Sequence, residues 1–282
     1  MMRIKSRPIA YGLAALLMTV FFAGYSAAAD NSDVTNVDSC NGKDRVPPDQ
    51  QIEGCTAILK SADNPQILAA IYNNRANAHV RKQEYDLAIQ DYDSAIKSDP
   101  KYATAFNGRG VAYEKKADYD RAIQDFDSAT SIDPNYANAF ANRAETFEKK
   151  GDFASAAKDL DTAIRLRPNL AMLMNERCWT RTMLGDFAGA VSDCSSAIKS
   201  TPSDGTPYDS RGFAYLKMGQ WDSAIADYDT ALKIDPKLAS SLYGRGIAEI
   251  KKGGAANGTA DIGAAKSIDP KIADEFAGYG FK

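Results

Sequence analysis

Six prolines fall in one register: Pro100, Pro134, Pro168, Pro202, Pro236 and Pro270, each 34 residues after the last. Proline is about one residue in twenty in an average chain, so six in step mark a repeat. A 34-residue period indicates a solenoid of helix–turn–helix units. With each proline numbered 32, the other positions agree. Position 8 is small: Ala76, Gly110, Ala144, Cys178, Gly212 and Gly246. Position 20 is Ala88, Ala122, Ala156, Ala190, Ala224 and Gly258, and position 27 is alanine six times, from Ala95 to Ala265. Position 17 is aromatic in Tyr85, Tyr119, Phe153, Phe187 and Trp221. Position 24 is Tyr92, Phe126, Leu160, Cys194, Tyr228 and Ile262.

These residue types describe a hairpin of two helices. Small residues at 8, 20 and 27 let the helices approach closely, and large ones at 17 and 24 fill the space between hairpins. Proline at 32 ends the second helix, because it lacks an N–H and disfavours helix in the residue before it. Gly151, Gly185, Gly219 and Gly253 stand at position 15, between the helices, where the backbone must turn. One hairpin cannot bury its own apolar face, so the repeats must stack.

The stretches YNNRANAHVRKQEYDLAIQDYDSAIKSDP and YDSRGFAYLKMGQWDSAIADYDTALKIDP resemble tetratricopeptide (TPR) repeats. The resemblance covers residues 69–270 as six repeats: 69–102, 103–136, 137–170, 171–204, 205–238 and 239–270. It implies an all-α fold, a right-handed solenoid of antiparallel helix pairs whose first helices line a concave binding groove. Residues 30–68 read as a degenerate first repeat and cap, in which QIEGCTAILKS places Cys55 over Cys194. The last repeat is weak, and its GGAANGTA segment lacks the aromatic at position 17. Asn257-Gly-Thr, which matches a glycosylation sequon, is read there as part of a turn. Residues 271–282, with IADEFAGYGF, are expected to add a short capping helix.

The first 29 residues have the order of a secretory leader: basic residues Arg3, Lys5 and Arg7, an apolar run, then Ala27 and Ala29 as an A-x-A cleavage site. Nothing after residue 30 is long and apolar enough to span a membrane. The mature chain is therefore expected to be exported, to the periplasm of a Gram-negative bacterium or beyond it. The net charge is −3, and loss of the leader makes the body more acidic by three charges. This argues against nucleic acid as a partner, which needs a basic face.

Export directs the reading of the four cysteines, which in an oxidising compartment are most simply two disulfides. Three pairings are open on count alone. Within the TPR frame Cys178 and Cys194 sit at positions 8 and 24, which face each other inside a hairpin. Cys40 and Cys55 are placed similarly, giving the pairs Cys40–Cys55 and Cys178–Cys194. The C-W-x-R and D-C spacing also resembles that of exported TPR proteins of alpha-proteobacteria. The lone histidine, His79, occupies position 11, where other repeats have Tyr113, Phe147 and Tyr215, and is read as a packing residue.

Position 7 is arginine six times, in Arg75, Arg109, Arg143, Arg177, Arg211 and Arg245. Position 23 is aspartate six times, in Asp91, Asp125, Asp159, Asp193, Asp227 and Asp261. An Arg–Asp pair in each repeat is expected, within a hairpin or to the adjoining one, since a guanidinium stem can lie on an apolar seam while its head meets a carboxylate. The alternative is a ladder for an anionic ligand.

Family geometry directs first-helix positions 5, 9 and 12 into the groove. Candidate binding residues are Asn73, Asn77, Asn107, Val111 and Glu145 in a polar early half, and Trp179, Phe213, Leu216, Tyr243 and Ile247 in an apolar later half. Some TPR domains clamp a C-terminal carboxylate. Asn77 matches one clamp position, but Asn73 and Gly108 replace others, so that role is disfavoured. The expected function is a non-enzymatic scaffold binding a protein or peptide partner, with self-association open and no cofactor or metal. The alternatives are an accessory factor in envelope or secretion assembly, or an enzyme using Glu145 with Glu148 or Glu114. No phosphate loop, nucleophile elbow or metal-ligand cluster accompanies those carboxylates.

Overall fold

The computed structural model describes residues 31–42 and 46–281. The expected leader and cleavage site lie outside the described residues. Among the described residues are fifteen helices and no strand. They are α1 (Asn31–Cys40), α2 (Pro48–Ile58), α3 (Pro65–Arg81), α4 (Tyr85–Ser98), α5 (Ala103–Lys115), α6 (Tyr119–Ile132), α7 (Ala137–Lys150) and α8 (Phe153–Leu166). The remainder are α9 (Ala171–Leu184), α10 (Phe187–Ser200), α11 (Thr206–Lys217), α12 (Trp221–Ile234), α13 (Ala239–Lys251), α14 (Ala255–Ile268) and α15 (Ile272–Gly278). The described chain divides after Lys150 into two units, α1–α7 and α8–α15, each a stack of antiparallel helices. No helix among the described residues is long and apolar enough to cross a membrane.

Side chains outside the apolar pattern set the helix ends. At position 16, Asp118, Asp152 and Asp186 cap α6, α8 and α10 by accepting from the backbone N–H of Arg121, Ser155 and Gly189. Before the proline, Asp99, Asp133, Asp235 and Asp269 each accept from the N–H two residues on, at 2.9 to 3.0 Å. These Asp-Pro pairs close the turn that leads to the next helix. Helix α3 begins at Pro65, because Asn64 caps it through the N–H groups of Gln66 and Ile67. One expectation, the turn at Asn257, is corrected. Asn257 lies in the first turn of α14 and not in the preceding loop. Ala255 and Ala256 favour helix, and Gly258 is needed there because a Cβ would stand 2.5 Å from the Gly246 carbonyl oxygen.

Position 15 is left-handed in every repeat, not only where it is glycine. The φ angles are 81° at Gly151, 83° at Gly185, 73° at Gly219 and 97° at Gly253, but also 63° at Gln83 and 60° at Ala117. Left-handed backbone costs an L-residue about 1–2 kcal/mol, more than the unfolded-state entropy that glycine adds. Ala117→Gly is therefore expected to stabilise the protein by roughly 0.5–1 kcal/mol, read by urea denaturation. An unchanged or lower midpoint would contradict this.

The core repeats the small-on-large pattern. In the first unit Ala76, Ala88, Tyr92 and Ala95 are buried together with Ala105 and Ala112. Both tyrosines at position 24 reach into the following hairpin and need glycine at its position 6. A Cβ on Gly108 would lie 2.5 Å from the Tyr92 ring, and one on Gly244 would lie 2.4 Å from that of Tyr228. At the fourth repeat sulfur takes the place of the aromatic. The sulfurs of Cys178 and Cys194 stand 2.00 Å apart with a Cα–Cα distance of 5.4 Å, joining α9 to α10. Those of Cys40 and Cys55 stand 2.08 Å apart and join α1 to α2.

Candidate functional site

The arginine ladder determines how much of the first-helix surface is left over. Within a hairpin, five of the six position-7 arginines fork onto the position-23 carboxylate of the second helix. The donors Nε and Nη2 reach Asp91 from Arg75 at 2.8 and 2.6 Å, Asp125 from Arg109 at 2.8 and 2.7 Å, and Asp193 from Arg177 at 2.8 and 2.6 Å. Arg211 meets Asp227, and Arg245 meets Asp261, in the same way. Arg143 and Asp159 stand on opposite sides of the division between the units.

The remaining amino group, Nη1, points to position 25 of the preceding hairpin. It reaches Asp127 from Arg143 at 2.6 Å, Asp161 from Arg177 at 2.7 Å, Asp229 from Arg245 at 2.7 Å and Asp93 from Arg109. Ser195 and Thr56 take this place opposite Arg211 and Arg75. Position 4 completes the clamp: Tyr72, Phe106, Phe140 and Tyr208 lie 5.4 to 6.0 Å beneath guanidinium groups. The hydrogen bonds it donates to Asp125 push the Arg109 guanidinium pKa above its ordinary value, against its burial. Each of these five arginines thus ties its own hairpin together and stitches it to the one before, leaving the ladder committed to polar groups of the chain.

The positions assigned to the groove divide into three kinds. Position 5 turns inward between neighbouring first helices. Asn73 and Asn107 are buried, and Asn107 Oδ1 accepts from Asn142 Nδ2 at 2.9 Å. Position 12 is likewise interior at Glu114, Glu148, Thr182 and Leu216. Position 9 keeps partial exposure through much of the array, at Asn77, Val111, Glu145, Trp179 and Ile247, whereas positions 5 and 12 do so only at Tyr243, Val80 and Ile250. Family geometry had aimed all three positions at solvent. The close approach of adjacent first helices buries most of positions 5 and 12.

In the first unit the position-9 row runs along α3, α5 and α7. Asn77 Oδ1 accepts from the Tyr92 hydroxyl at 2.5 Å. Two of the carboxylates weighed as an enzymatic alternative share a cation: Lys149 Nζ lies 2.5 Å from Glu114 and 3.1 Å from Glu145. Burial opposes the Lys149 charge, but the two carboxylates outweigh it and raise its pKa. Glu114 also takes a hydrogen bond from Thr146 and one from Lys115. The His79 side chain is largely buried, and its Nδ1 also lies 2.7 Å from Glu84 Oε2.

In the second unit the apolar row is covered. Phe213 and Leu216 are fully buried, so they are not a free docking surface. The cover is the C-terminal segment, α15 and the residues after it. Phe276 stacks 4.7 Å from Tyr243 and 5.8 Å from Phe213. Tyr279 meets Phe213 at 5.4 Å and the edge of Trp179 at 5.2 Å. Phe281 lies 6.0 Å from Phe213. The Tyr279 carbonyl accepts from Lys217 Nζ at 2.9 Å. Ile247 packs against the same cluster. The physical reason is the row's own composition: a Phe–Leu–Trp surface of this size gains too much from burial to stay wet.

Asp209, at position 5 of the fifth repeat, is fully buried without a cation. Burial pushes its carboxyl up to about 6, offset by hydrogen bonds from Ser241 at 2.5 Å and Ser240 at 2.9 Å. The Tyr228 hydroxyl nearby has no hydrogen-bond partner, since position 9 is here Phe213, where the first repeat offers Asn77. The folded pKa exceeds the ordinary 3.8, so the folded state holds the extra proton. This contribution is full below pH 4 and is lost as pH rises through 6. Asn73, Asn107 and Asn175 occupy the same slot elsewhere. Asp209→Asn is expected to stabilise the protein at pH 7.5 by roughly 2–3 kcal/mol and to erase the difference at pH 3.5. Parallel pH profiles for the two proteins would contradict this.

Models of tetratricopeptide repeat families match residues 73–137, 137–170 and 212–253. The repeats in these segments are tetratricopeptide repeats. Three solved TPR-like structures show the same fold. One is YrrB, described as a TPR protein with an unusual peptide-binding site: it is 22% identical, with 68% of this chain and 97% of that chain covered and a TM-score of 0.59. A tetratricopeptide repeat protein from Parabacteroides merdae is 19% identical, with 85% and 94% covered and a TM-score of 0.65. PilW, described as a widely conserved type IV pilus biogenesis factor, is 19% identical, with 74% and 98% covered and a TM-score of 0.65. No curated protein matches the chain.

Proposed function

We propose that this TPR chain is a non-enzymatic scaffold of the cell envelope or the secreted space, which binds an extended or helical segment of a protein partner on the inner row of its first helices. One observation carries the reading: the chain's own C-terminal segment lies on that row in the second unit, against Trp179, Phe213 and Tyr243. In the first unit the same row, Asn77, Val111 and Glu145, keeps partial exposure. The peptide-binding site named for YrrB supports the ligand class. The two cysteine pairs at bonding distance, with the leader-like N-terminus, support export. The pilus role named for PilW favours envelope assembly as the setting. Catalysis by the Glu114–Glu145 group is disfavoured by its pairing with Lys149.

The test is in-cell chemical crosslinking of the full chain, then mass spectrometry of what is attached. One recurrent protein, lost with Val111→Asp in a protein of unchanged helicity, is the expected result. Adducts that are indifferent to Val111→Asp would place binding elsewhere and refute the assignment. Phe213→Ala is no test of binding, because it opens the core.

A further inference from the structure

An end cap needs to cover only the last hairpin. Ile272 and Phe276 do that: both are buried, and Phe276 stacks on Tyr243 of α13. The segment then continues where no cap is required. Tyr279 reaches Trp179 on α9, Phe281 reaches Phe213 on α11, and the Tyr279 carbonyl is held by Lys217. Lys217 Nζ also lies 5.7 Å from the Phe281 ring. These contacts have the form of a peptide in a site: aromatic side chains seated at fixed spacing, with a backbone group taken by a charged side chain. Gly278 and Gly280 flank Tyr279, and Gly280 has φ +93°. A terminal segment of this kind opens locally, without unfolding the hairpins beneath it.

We infer that the tail beyond Phe276 is the resident occupant of a peptide site on α9 and α11. The site's exchangeable ligand is a short segment with aromatic side chains in the order Tyr-x-Phe, whose backbone carbonyl accepts from Lys217. The tail therefore keeps the apolar half of the binding row closed until a segment of the same chemistry displaces it. This rests on the reading above, that the inner row binds peptide, and adds the ligand's chemistry and its competitor.

The experiment uses the full chain with Tyr279→Ala and Phe281→Ala, which leaves Ile272 and Phe276 in place as the cap. Trp221→Phe makes Trp179 the reporter of the site; Phe153 and Phe187 already fill position 17 in other repeats. The probe is the synthetic peptide AGYGFK, which carries the Tyr-x-Phe segment without the cap residues. Saturable binding to the variant is expected, at least tenfold tighter than to the Trp221→Phe parent, where the tail competes. The peptide with its Tyr and Phe replaced by Ala is expected to bind at least tenfold more weakly. A concentration-dependent dimer of the wild-type chain that the variant abolishes would be the same exchange between two copies, and would support the assignment. Failure of the folded variant to bind the peptide, or equal binding to variant and parent, would overturn it. Either failure leaves a partner crosslinked through Val111 untouched, so the two readings fall separately. If the double variant does not fold, Phe281→Ala alone is compared in the same way.

Discussion

Arg109→Ala is expected to cost about 3–5 kcal/mol, the range for removing one partner of a buried ion pair. The loss exceeds that of a surface salt bridge, worth at most about 1 kcal/mol, for three reasons. Asp125 is buried beneath the guanidinium and keeps its desolvation penalty when the fork is removed. Asp93 on the preceding hairpin loses its partner in the same step. The Phe106 ring loses the group stacked on it. Because the repeats stabilise one another through nearest-neighbour interfaces, the damage should concentrate where α4 meets α5 and α6. Urea denaturation gives the total, and hydrogen exchange should show lost protection in those helices first. Adding Asp93→Asn and Asp125→Asn should recover part of the loss, since the penalty lies in the stranded charges. A loss below 1 kcal/mol would mean that the ladder is surface decoration.

Removing the Cys178–Cys194 link should cost about 3 kcal/mol, the chain-entropy value for a loop of this length. Cys178→Ala/Cys194→Ala is the direct test, measured against the oxidised parent. The other repeats supply the rescue. Gly110 takes the Phe126 ring so closely that a Cβ would stand 2.7 Å from it, and position 6 of the next repeat there is Asn142. Position 6 after the fourth repeat is Ser210, which suits phenylalanine and lacks the glycine that a tyrosine requires. Cys178→Gly/Cys194→Phe is therefore expected to restore most of the lost stability without sulfur. A rescue variant no more stable than the double alanine would show that the link does more than replace small-on-large packing.

The parts of the molecule that repeat were legible in the sequence. Proline at 32, small residues at 8, 20 and 27, and the Arg–Asp pairing all recur, so each repeat is a check on the next. The second anchor of the ladder was also written there, as aspartate at position 25 in Asp93, Asp127, Asp161 and Asp229. Pairing one carboxylate with one arginine hid it, although a guanidinium has donors for two. What does not repeat was harder to read. Periodicity places Phe213 on the inner row, but says nothing about ten residues after the last repeat folding back to cover it. Ala117 and Gln83 concealed a left-handed turn because four of six repeats mark it with glycine and these two do not. Asp209 and Glu114 look like groove residues on a helical wheel. They are buried because the adjacent first helix lies against them, a contact set by hairpin stacking rather than by either helix alone.

Site-specific photocrosslinking in living cells tests the central claim most directly. One probe replaces Val111, half-buried on the inner row of α5; a control probe replaces Leu87, an exposed side chain on the second helix α4. If the inner row binds the partner, the probe at 111 gives a discrete adduct with another protein and the probe at 87 gives none. An adduct formed equally well from 87, or from 87 alone, would contradict the account.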